Sequence, residues 1–137
     1  MNPGMTATYL GNLRIQSEHL KSGSTLITDA PTDNHGKGEA FSPTDLLCTS
    51  LASCMITLMG ITAESKGILL GKVSADIEKV MYPDPRRVGE IHIHIHIEDK
   101  KYTDKEKAIL ENAALTCPVA KSLHSDIKQE VRFTYTE

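Results

Sequence analysis

An uncharged segment at 46–63 is flanked by residues that typically begin and end a helix. Before it, Ser42 is a good N-cap and Pro43 suits the first helical position. After it, Gly67 provides the permissive backbone with which many helices end. We therefore predict a helix over 43–66, longer than about 30 Å at roughly 1.5 Å per residue. A small chain can bury such a helix only by wrapping a sheet around it or by using a partner subunit.

The same segment just reaches the minimum length of a membrane span, about 18 residues. Several hydroxyl-bearing residues, a glycine and two cysteines leave it apolar on one face and small and polar on the rest. We therefore interpret it as a helix buried inside a protein and expect no membrane partner. The first residues lack the basic and apolar regions of a signal peptide, and three cysteines are too few for a disulfide-stapled secreted scaffold. We therefore expect the protein to be located in the cytoplasm, where thiols are reduced.

The composition argues against a nucleic-acid partner, and we expect none. The formal net charge is −3 and the pI is near 6.1, whereas nucleic-acid-binding proteins carry a basic excess. Four Tyr, two Phe and no Trp leave little aromatic surface for stacking on single strands. A chain of 137 residues has room for one domain, so we expect a single domain over 1–137.

The remaining patterns predict strands and helices that are segregated along the chain, which is typical of the α+β class. An aperiodic loop at 30–42 separates the N-terminal strands from the long helix. The predicted elements, in chain order, are a β-hairpin (6–16 and 24–30), the long central helix, a second β-hairpin (69–82 and 91–98), two short helices (103–115 and 117–123) and a final strand (130–135).

The second hairpin contains a strand in which isoleucines alternate with His92, His94 and His96. This period of two predicts one buried face and one wet face, with the histidines on the same side as Asp76 and Glu78. Histidines two positions apart on a strand lie about 6.7 Å from each other and can share a metal ion. The alternative is a solvated face on which histidines oppose carboxylates. We favour that alternative and expect no bound metal, because no second ligand motif accompanies the histidines.

The three cysteines can be chemical or purely structural, and for Cys48 the residues around it support only the structural interpretation. Cys117 precedes a proline at a predicted helix N-terminus, where the helix dipole and the nearby Lys121 would lower the pKa of a thiol. Cysteine is also simply tolerated at such a position. Cys54 and Cys48 lie within the long helix, where a cysteine more often acts as a small hydrophobic residue. None of the three forms a C-x-x-C pair.

Three motifs together resemble the OsmC/Ohr family, which is named for osmotically inducible protein C and organic hydroperoxide resistance protein. They are SPTDLL at 42–47, LASCMITL at 51–58 and CPVAKSL at 117–123. The family pattern combines a proline-led start to a long helix, a cysteine about eleven residues later and a second cysteine in a C-P-V/I segment. The order of predicted elements resembles this family over nearly the whole chain, and the family fold is an intertwined homodimer.

The resemblance implies a cofactor-free, thiol-dependent peroxidase that acts on organic hydroperoxides. In such proteins the first cysteine, here Cys54, attacks the peroxide and becomes a sulfenic acid. The second, here Cys117, forms a disulfide with it, and an external thiol reductant resets the pair. An arginine from the N-terminal strands stabilises the thiolate, and Arg14 is the candidate for this role.

One position departs from the family pattern. The hydroperoxide-resistance branch has a glutamate directly after the helix-start proline, whereas Thr44 follows Pro43 in this chain. Glu39, in the preceding loop, is our candidate for an acid that replaces it. The departure keeps a second interpretation open, in which the protein senses redox state or binds a small molecule without efficient peroxidase turnover.

Overall fold

The computed structural model describes residues Met1–Glu137, which form two compact units, Met1–Leu47 and Cys48–Glu137. The mixed helix and strand content confirms the α+β prediction. The expectation that the chain is a single domain stays a prediction. The elements are β1 (Met5–Gly11), β2 (Arg14–His19), β3 (Thr25–Asp29), a 3₁₀ turn (Thr32–Asn34), α1 (Pro43–Lys66), β4 (Val73–Tyr82), β5 (Arg87–Glu98), α2 (Asp104–Leu115), α3 (Pro118–Ser122) and β6 (Lys128–Thr136).

The N-terminal unit contains a three-stranded antiparallel sheet in the order β1-β2-β3. The prediction of a two-stranded hairpin was wrong, because the segment 6–16 is not one strand but two. The chain reverses at Asn12 and Leu13, which have φ angles of 54° and 62°. Positive φ at both central positions is characteristic of type I′ turns between antiparallel strands. Leucine rarely adopts this conformation, so the sequence did not indicate the turn.

Helix α1 begins and ends where the sequence predicts. The Ser42 hydroxyl accepts a hydrogen bond from the backbone N–H of Asp45 at 3.1 Å, and the Asp45 carboxylate accepts one from the Ser42 N–H at 3.0 Å. These two bonds satisfy donors that a helix N-terminus otherwise leaves unpaired. At the other end, Gly67 has a φ of +69°, a conformation that glycine adopts without strain.

The core of the second unit forms between α1 and the central strand of a sheet ordered β4-β5-β6. Strand β5 pairs antiparallel with β4 and parallel with β6, so the chain needs a crossover between the parallel strands, which α2 and α3 provide. The predicted alternation along β5 is confirmed. Its four isoleucines at 91–97 are buried, while the three histidines lie on the opposite, partly exposed face.

By length and composition α1 could cross a membrane. In this structure, however, one face of α1 is buried in the core of the second unit. This arrangement is that of a core helix in a soluble fold, in agreement with the interpretation of the uncharged segment. The buried residues of α1 are Cys48, Leu51, Ala52, Met55, Met59 and Ala63.

Candidate active site

Two of the three cysteines lie together in the second unit although they come from different helices. Cys54 is in the middle of α1, partly buried and packed against the core. Cys117 is the N-cap of α3 and is fully buried. The Cys54 side chain lies close enough to raise the pKa of the Cys117 thiol, and both residues are free cysteines. The structure therefore brings together the two cysteines that the resemblance paired.

The local sequence explains how Cys117 is held. Its backbone is extended, with φ −72° and ψ 151°, and Pro118 begins the following helix. In this N-cap conformation the Cys117 sulfur accepts a hydrogen bond from the backbone N–H of Ala120 at 3.4 Å. The prediction of Cys117 at a helix N-terminus is confirmed.

The ionisation of Cys117 differs from the sequence-based expectation. Burial is the largest influence and raises the pKa of the thiol, and the contact with Cys54 raises it further. The Ala120 N–H lowers the pKa, as expected of a helix N-terminus, but its effect is smaller. The expectation of an activated thiol at this position was therefore wrong, because desolvation disfavours the thiolate more than the backbone N–H groups of Val119 and Ala120 stabilise it. Cys117 is a neutral thiol at neutral pH.

The N-terminal unit holds a second group of site candidates around Arg14. The Nε and Nη2 atoms of Arg14 donate to the two carboxylate oxygens of Asp29 at 2.7 and 2.8 Å. Arg14 Nη2 also donates to Glu39 Oε1 at 3.1 Å. Asp29 is only 2% exposed, and its carboxylate accepts a further bond from the Glu39 backbone N–H at 3.1 Å. The structure thus brings together Arg14 and Glu39, and adds Asp29.

Asp29 is the residue that the sequence reasoning missed. Arg14 and Asp29 are direct partners across strands β2 and β3. That pairing becomes visible only when the three-stranded register is known, and the predicted hairpin did not contain it. The bidentate bond to Arg14 holds the pKa of Asp29 below its usual range, and the same pairing raises the pKa of Arg14. Both groups are therefore charged at neutral pH.

Replacing Asp29 with asparagine is expected to destabilise the protein at pH 7 by about 1–3 kcal/mol, because it leaves Arg14 without its buried partner. The pKa of Asp29 is lowered in the folded state, so its stabilisation is complete above the unfolded carboxyl pKa, near 3.9. It is lost as the pH falls through the folded value. The difference between wild type and Asp29→Asn should therefore shrink below about pH 4. Urea unfolding at equal protein concentration across pH 3–7 measures it, and a difference that stays constant with pH would contradict the charged pair.

The fold and the thiol pair define an α+β protein that carries a candidate redox-active dithiol beside its central helix. The chain belongs to the OsmC family, since the family model described as OsmC-like protein matches residues 36–132. This confirms the resemblance noted in the sequence. No curated protein matches the chain.

Solved structures agree with this assignment over nearly the full chain. One from Psychrobacter arcticus 273-4, described provisionally as an osmotic stress induced and detoxification response protein, is 52% identical, covers 98% of this chain and 97% of its own, and has a TM-score of 0.92. An organic hydroperoxide resistance protein OsmC from Legionella pneumophila is 21% identical over 95% of this chain and 94% of its own, with a TM-score of 0.74. One from Elizabethkingia anophelis, also named an organic hydroperoxide resistance protein, is 17% identical over 97% and 95%, with a TM-score of 0.75. The last two, at these identities, share the fold.

Proposed function

We propose that this protein is a thiol-dependent peroxidase that reduces organic hydroperoxides, with Cys54 as the nucleophile and Cys117 as the resolving thiol. The proximity of the two thiols, one partly exposed and one buried, carries the proposal. The substrate class is taken from the two structural relatives that are named for organic hydroperoxide resistance. Family membership supports a peroxide-related redox role.

In the first step the Cys54 thiolate attacks the distal oxygen of the hydroperoxide O–O bond. A sulfur–oxygen bond forms, the O–O bond breaks, and the leaving alkoxide takes a proton to become the alcohol. Cys54 is thereby oxidised to a sulfenic acid, which is the first and reversible stage of cysteine oxidation. Cys117 is unsuited to this attack, because burial raises the pKa of its thiol and the neutral thiol is a poor nucleophile.

In the second step the Cys117 sulfur displaces hydroxide from the sulfenic acid of Cys54. The Cys117 proton leaves with that hydroxide as water, and a disulfide joins the two residues. An external dithiol then reduces the disulfide through a mixed disulfide and is itself oxidised. The net reaction converts one hydroperoxide and one dithiol into an alcohol, water and a disulfide. The proximity of the two side chains supports disulfide formation between them.

We infer that Arg14 is the cation that favours the thiolate form of Cys54, and that Glu39 orients Arg14. The support within this chain is the 3.1 Å contact between Arg14 Nη2 and Glu39 Oε1 and the rigid bidentate pairing of the same guanidinium with Asp29. A guanidinium fixed in this way keeps its charge at all physiological pH values. Because the Glu39 side chain is 65% exposed, we expect it to contribute less than Asp29 to holding Arg14.

A second function, redox sensing or small-molecule binding without efficient turnover, is favoured by one observation. The Arg14 guanidinium is paired with two carboxylates, Asp29 and Glu39, so that much of its positive charge is compensated. A compensated cation stabilises a thiolate less than a free one. The second function is also favoured by Thr44, which stands where the hydroperoxide-resistance branch has a glutamate.

Steady-state consumption of cumene hydroperoxide with dithiothreitol distinguishes the two functions. The peroxidase proposal expects many equivalents of hydroperoxide to be consumed per protein chain, with one dithiol oxidised per hydroperoxide. The sensor alternative expects one equivalent to be consumed, with the disulfide formed but turned over slowly. If intact-mass measurement after hydroperoxide treatment finds neither sulfenic acid nor a disulfide between Cys54 and Cys117, peroxidase activity and redox sensing are both excluded, and only small-molecule binding is left.

We further infer that the working unit is a homodimer in a reducing compartment such as the cytoplasm. Within Met1–Leu47 the buried residues are Thr28, Asp29 and Ser42, all of them polar. A three-stranded sheet without buried apolar side chains needs a covering surface, and a second copy of the chain supplies one. Free thiols on all three cysteines fit the compartment. The exposed large apolar side chains of this unit are Met1, Met5, Tyr9, Leu10, Leu13, Leu20, Leu26, Phe41 and Leu47.

Size-exclusion chromatography with light scattering is expected to give a mass of twice the chain mass of 15.0 kDa. Burial of the apolar N-terminal sheet should keep this dimer intact on dilution to low micromolar concentration. Leu26 is 46% exposed in the single chain. Replacing it with glutamate should weaken the dimer, because a charged side chain would then be buried in the interface in place of an apolar one. A wild-type mass of one chain at all concentrations would contradict the homodimer without bearing on the thiol chemistry.

A further inference from the structure

The outer face of the β4–β5 pair carries two imidazoles and a carboxylate in one cluster. Ligand atoms of Asp76, His94 and His96 all lie within 4.8 Å of one another. His94 and His96 are two residues apart on β5, and their ring centroids are 4.0 Å apart. Asp76 is the direct cross-strand partner of His94, and its carboxylate lies 2.8 Å from His96 Nε2. Two adjacent strands therefore direct three metal-binding groups to one point.

We propose that Asp76, His94 and His96 form a binding site for a zinc ion or a similar first-row divalent cation. Imidazole nitrogens and a carboxylate oxygen are common ligands of these metals. Metal–ligand bonds of about 2.0–2.1 Å place the ligand atoms of a tetrahedral zinc ion about 3.4 Å apart. Small side-chain rotations would bring the three ligand atoms, now within 4.8 Å of one another, to this separation. The sequence-based expectation of no metal rested on the lack of a second ligand motif. The strand register now places the Asp76 carboxylate, predicted to lie on the same face, directly beside His94 and His96.

Two neighbouring side chains already fix the His94 ring and its tautomer. Arg132 Nη2 lies 3.0 Å from His94 Nδ1, and His94 Nε2 lies 2.6 Å from the Thr134 hydroxyl. Arginine has only donors, so Nδ1 accepts and the ring proton lies on Nε2, where it is donated to Thr134. The Nδ1 lone pair is thus directed at a cation, the guanidinium. A metal ion takes the place of that guanidinium, while the bond to Thr134 persists as the outer contact that fixes the ligating tautomer.

The site is open to solvent on one side. Asp76 is 83% exposed and His96 35% exposed at the side chain, so a cation can enter without movement of the backbone. A groove of about 540 Å³ runs beside the cluster, and the remaining coordination positions face solvent, where water can fill them. Such a site has three protein ligands, the number found in zinc sites that keep an open position. We therefore expect one metal ion per chain.

Calorimetric titration of ZnCl₂ into the reduced, untagged full chain tests the proposal. We expect one ion bound per chain, with affinity reduced at least about tenfold in His94→Gln, His96→Gln and Asp76→Asn. His92→Gln is the matched control, because His92 lies on the same strand face but outside the cluster, and it should bind as wild type does. Arg132→Gln should bind more tightly, because it removes the cation that competes for His94 Nδ1.

Cobalt(II) absorption identifies the ligands independently, since the thiols of Cys54 and Cys117 also bind metals. We expect d–d bands without the near-ultraviolet charge-transfer band that thiolate ligands give, and displacement of Co²⁺ by Zn²⁺. Three results would overturn the proposal: no binding, a thiolate band that accounts for all bound metal, or equal affinity in His92→Gln and His94→Gln. None of these results depends on peroxidase activity.

Discussion

Replacement of Cys54 by serine is expected to reduce hydroperoxide consumption by about a thousandfold or more, to the rate without protein. The thiolate is the attacking species, and a serine hydroxyl neither ionises at neutral pH nor attacks an O–O bond effectively. Loss of a nucleophile commonly removes nearly all of the chemical rate while binding survives. Cys54 is only partly buried, so the near-isosteric serine should not disturb the fold. The measurement is steady-state cumene hydroperoxide loss with dithiothreitol.

Cys48 provides the matched control for this experiment. It lies on the same helix and is 1% exposed, but it belongs to the buried core rather than to the thiol pair. Alanine is the better replacement there, since it does not bury a hydroxyl group. Cys48→Ala should turn over hydroperoxide at the wild-type rate, with a modest loss of stability. Wild-type turnover by Cys54→Ser, or its loss in Cys48→Ala, would refute the assignment of the nucleophile.

The elements that the sequence predicted well are those whose signals are local. Ser42 and Gly67 mark the ends of α1 through their own backbone and side-chain preferences. In the same way, Thr103 and Glu106 form the predicted capping box at the start of α2. The main part of strand β5, residues 91–98, was predicted because its alternation there has an unbroken period of two. In each case the residues that carry the signal are also those that make the stabilising contacts.

The features that the sequence did not predict depend on residues distant along the chain. The ion pair between Arg14 and Asp29 requires the register of β2 against β3. It also requires β2 to be a separate strand, which depends on an unusual positive φ at Leu13 in the turn between β1 and β2. The parallel pairing of β6 with β5 has no local signature. Both were therefore outside the reach of periodicity and capping rules.

The thiol site combines both kinds of information. The position of Cys117 as an N-cap was predictable from the proline that follows it, but its raised pKa was not, because burial is a property of the folded core. The contact between Cys54 and Cys117 came from the family resemblance rather than from spacing. The N-terminus of a five-residue helix is a weak stabiliser of a thiolate, so desolvation decides the outcome.

Replacement of Cys117 by serine is expected to stop turnover after one equivalent of hydroperoxide per chain. Cys54 is still oxidised, but no neighbouring thiol condenses with its sulfenic acid. That species should therefore accumulate and be trapped by dimedone, whereas the wild type gives a disulfide that dimedone does not label. Rapid mixing with one to five equivalents of hydroperoxide, followed by intact-mass analysis, measures the stoichiometry. Continued turnover in this variant with dithiothreitol would mean that the external thiol attacks the sulfenic acid directly and that Cys117 is dispensable.

The fold should tolerate this replacement, which keeps the kinetic result interpretable. Serine is a better N-cap than cysteine, and its hydroxyl can accept the hydrogen bond that the sulfur now accepts from the Ala120 N–H. Cys117→Ala is the companion variant, because it loses that cap and should cost about 1 kcal/mol of stability in urea unfolding. Both variants remove the resolving thiol, so both should consume one equivalent despite their different stabilities. If only the less stable alanine variant lost turnover, Cys117 would act through the packing of α3 and not as a redox partner of Cys54.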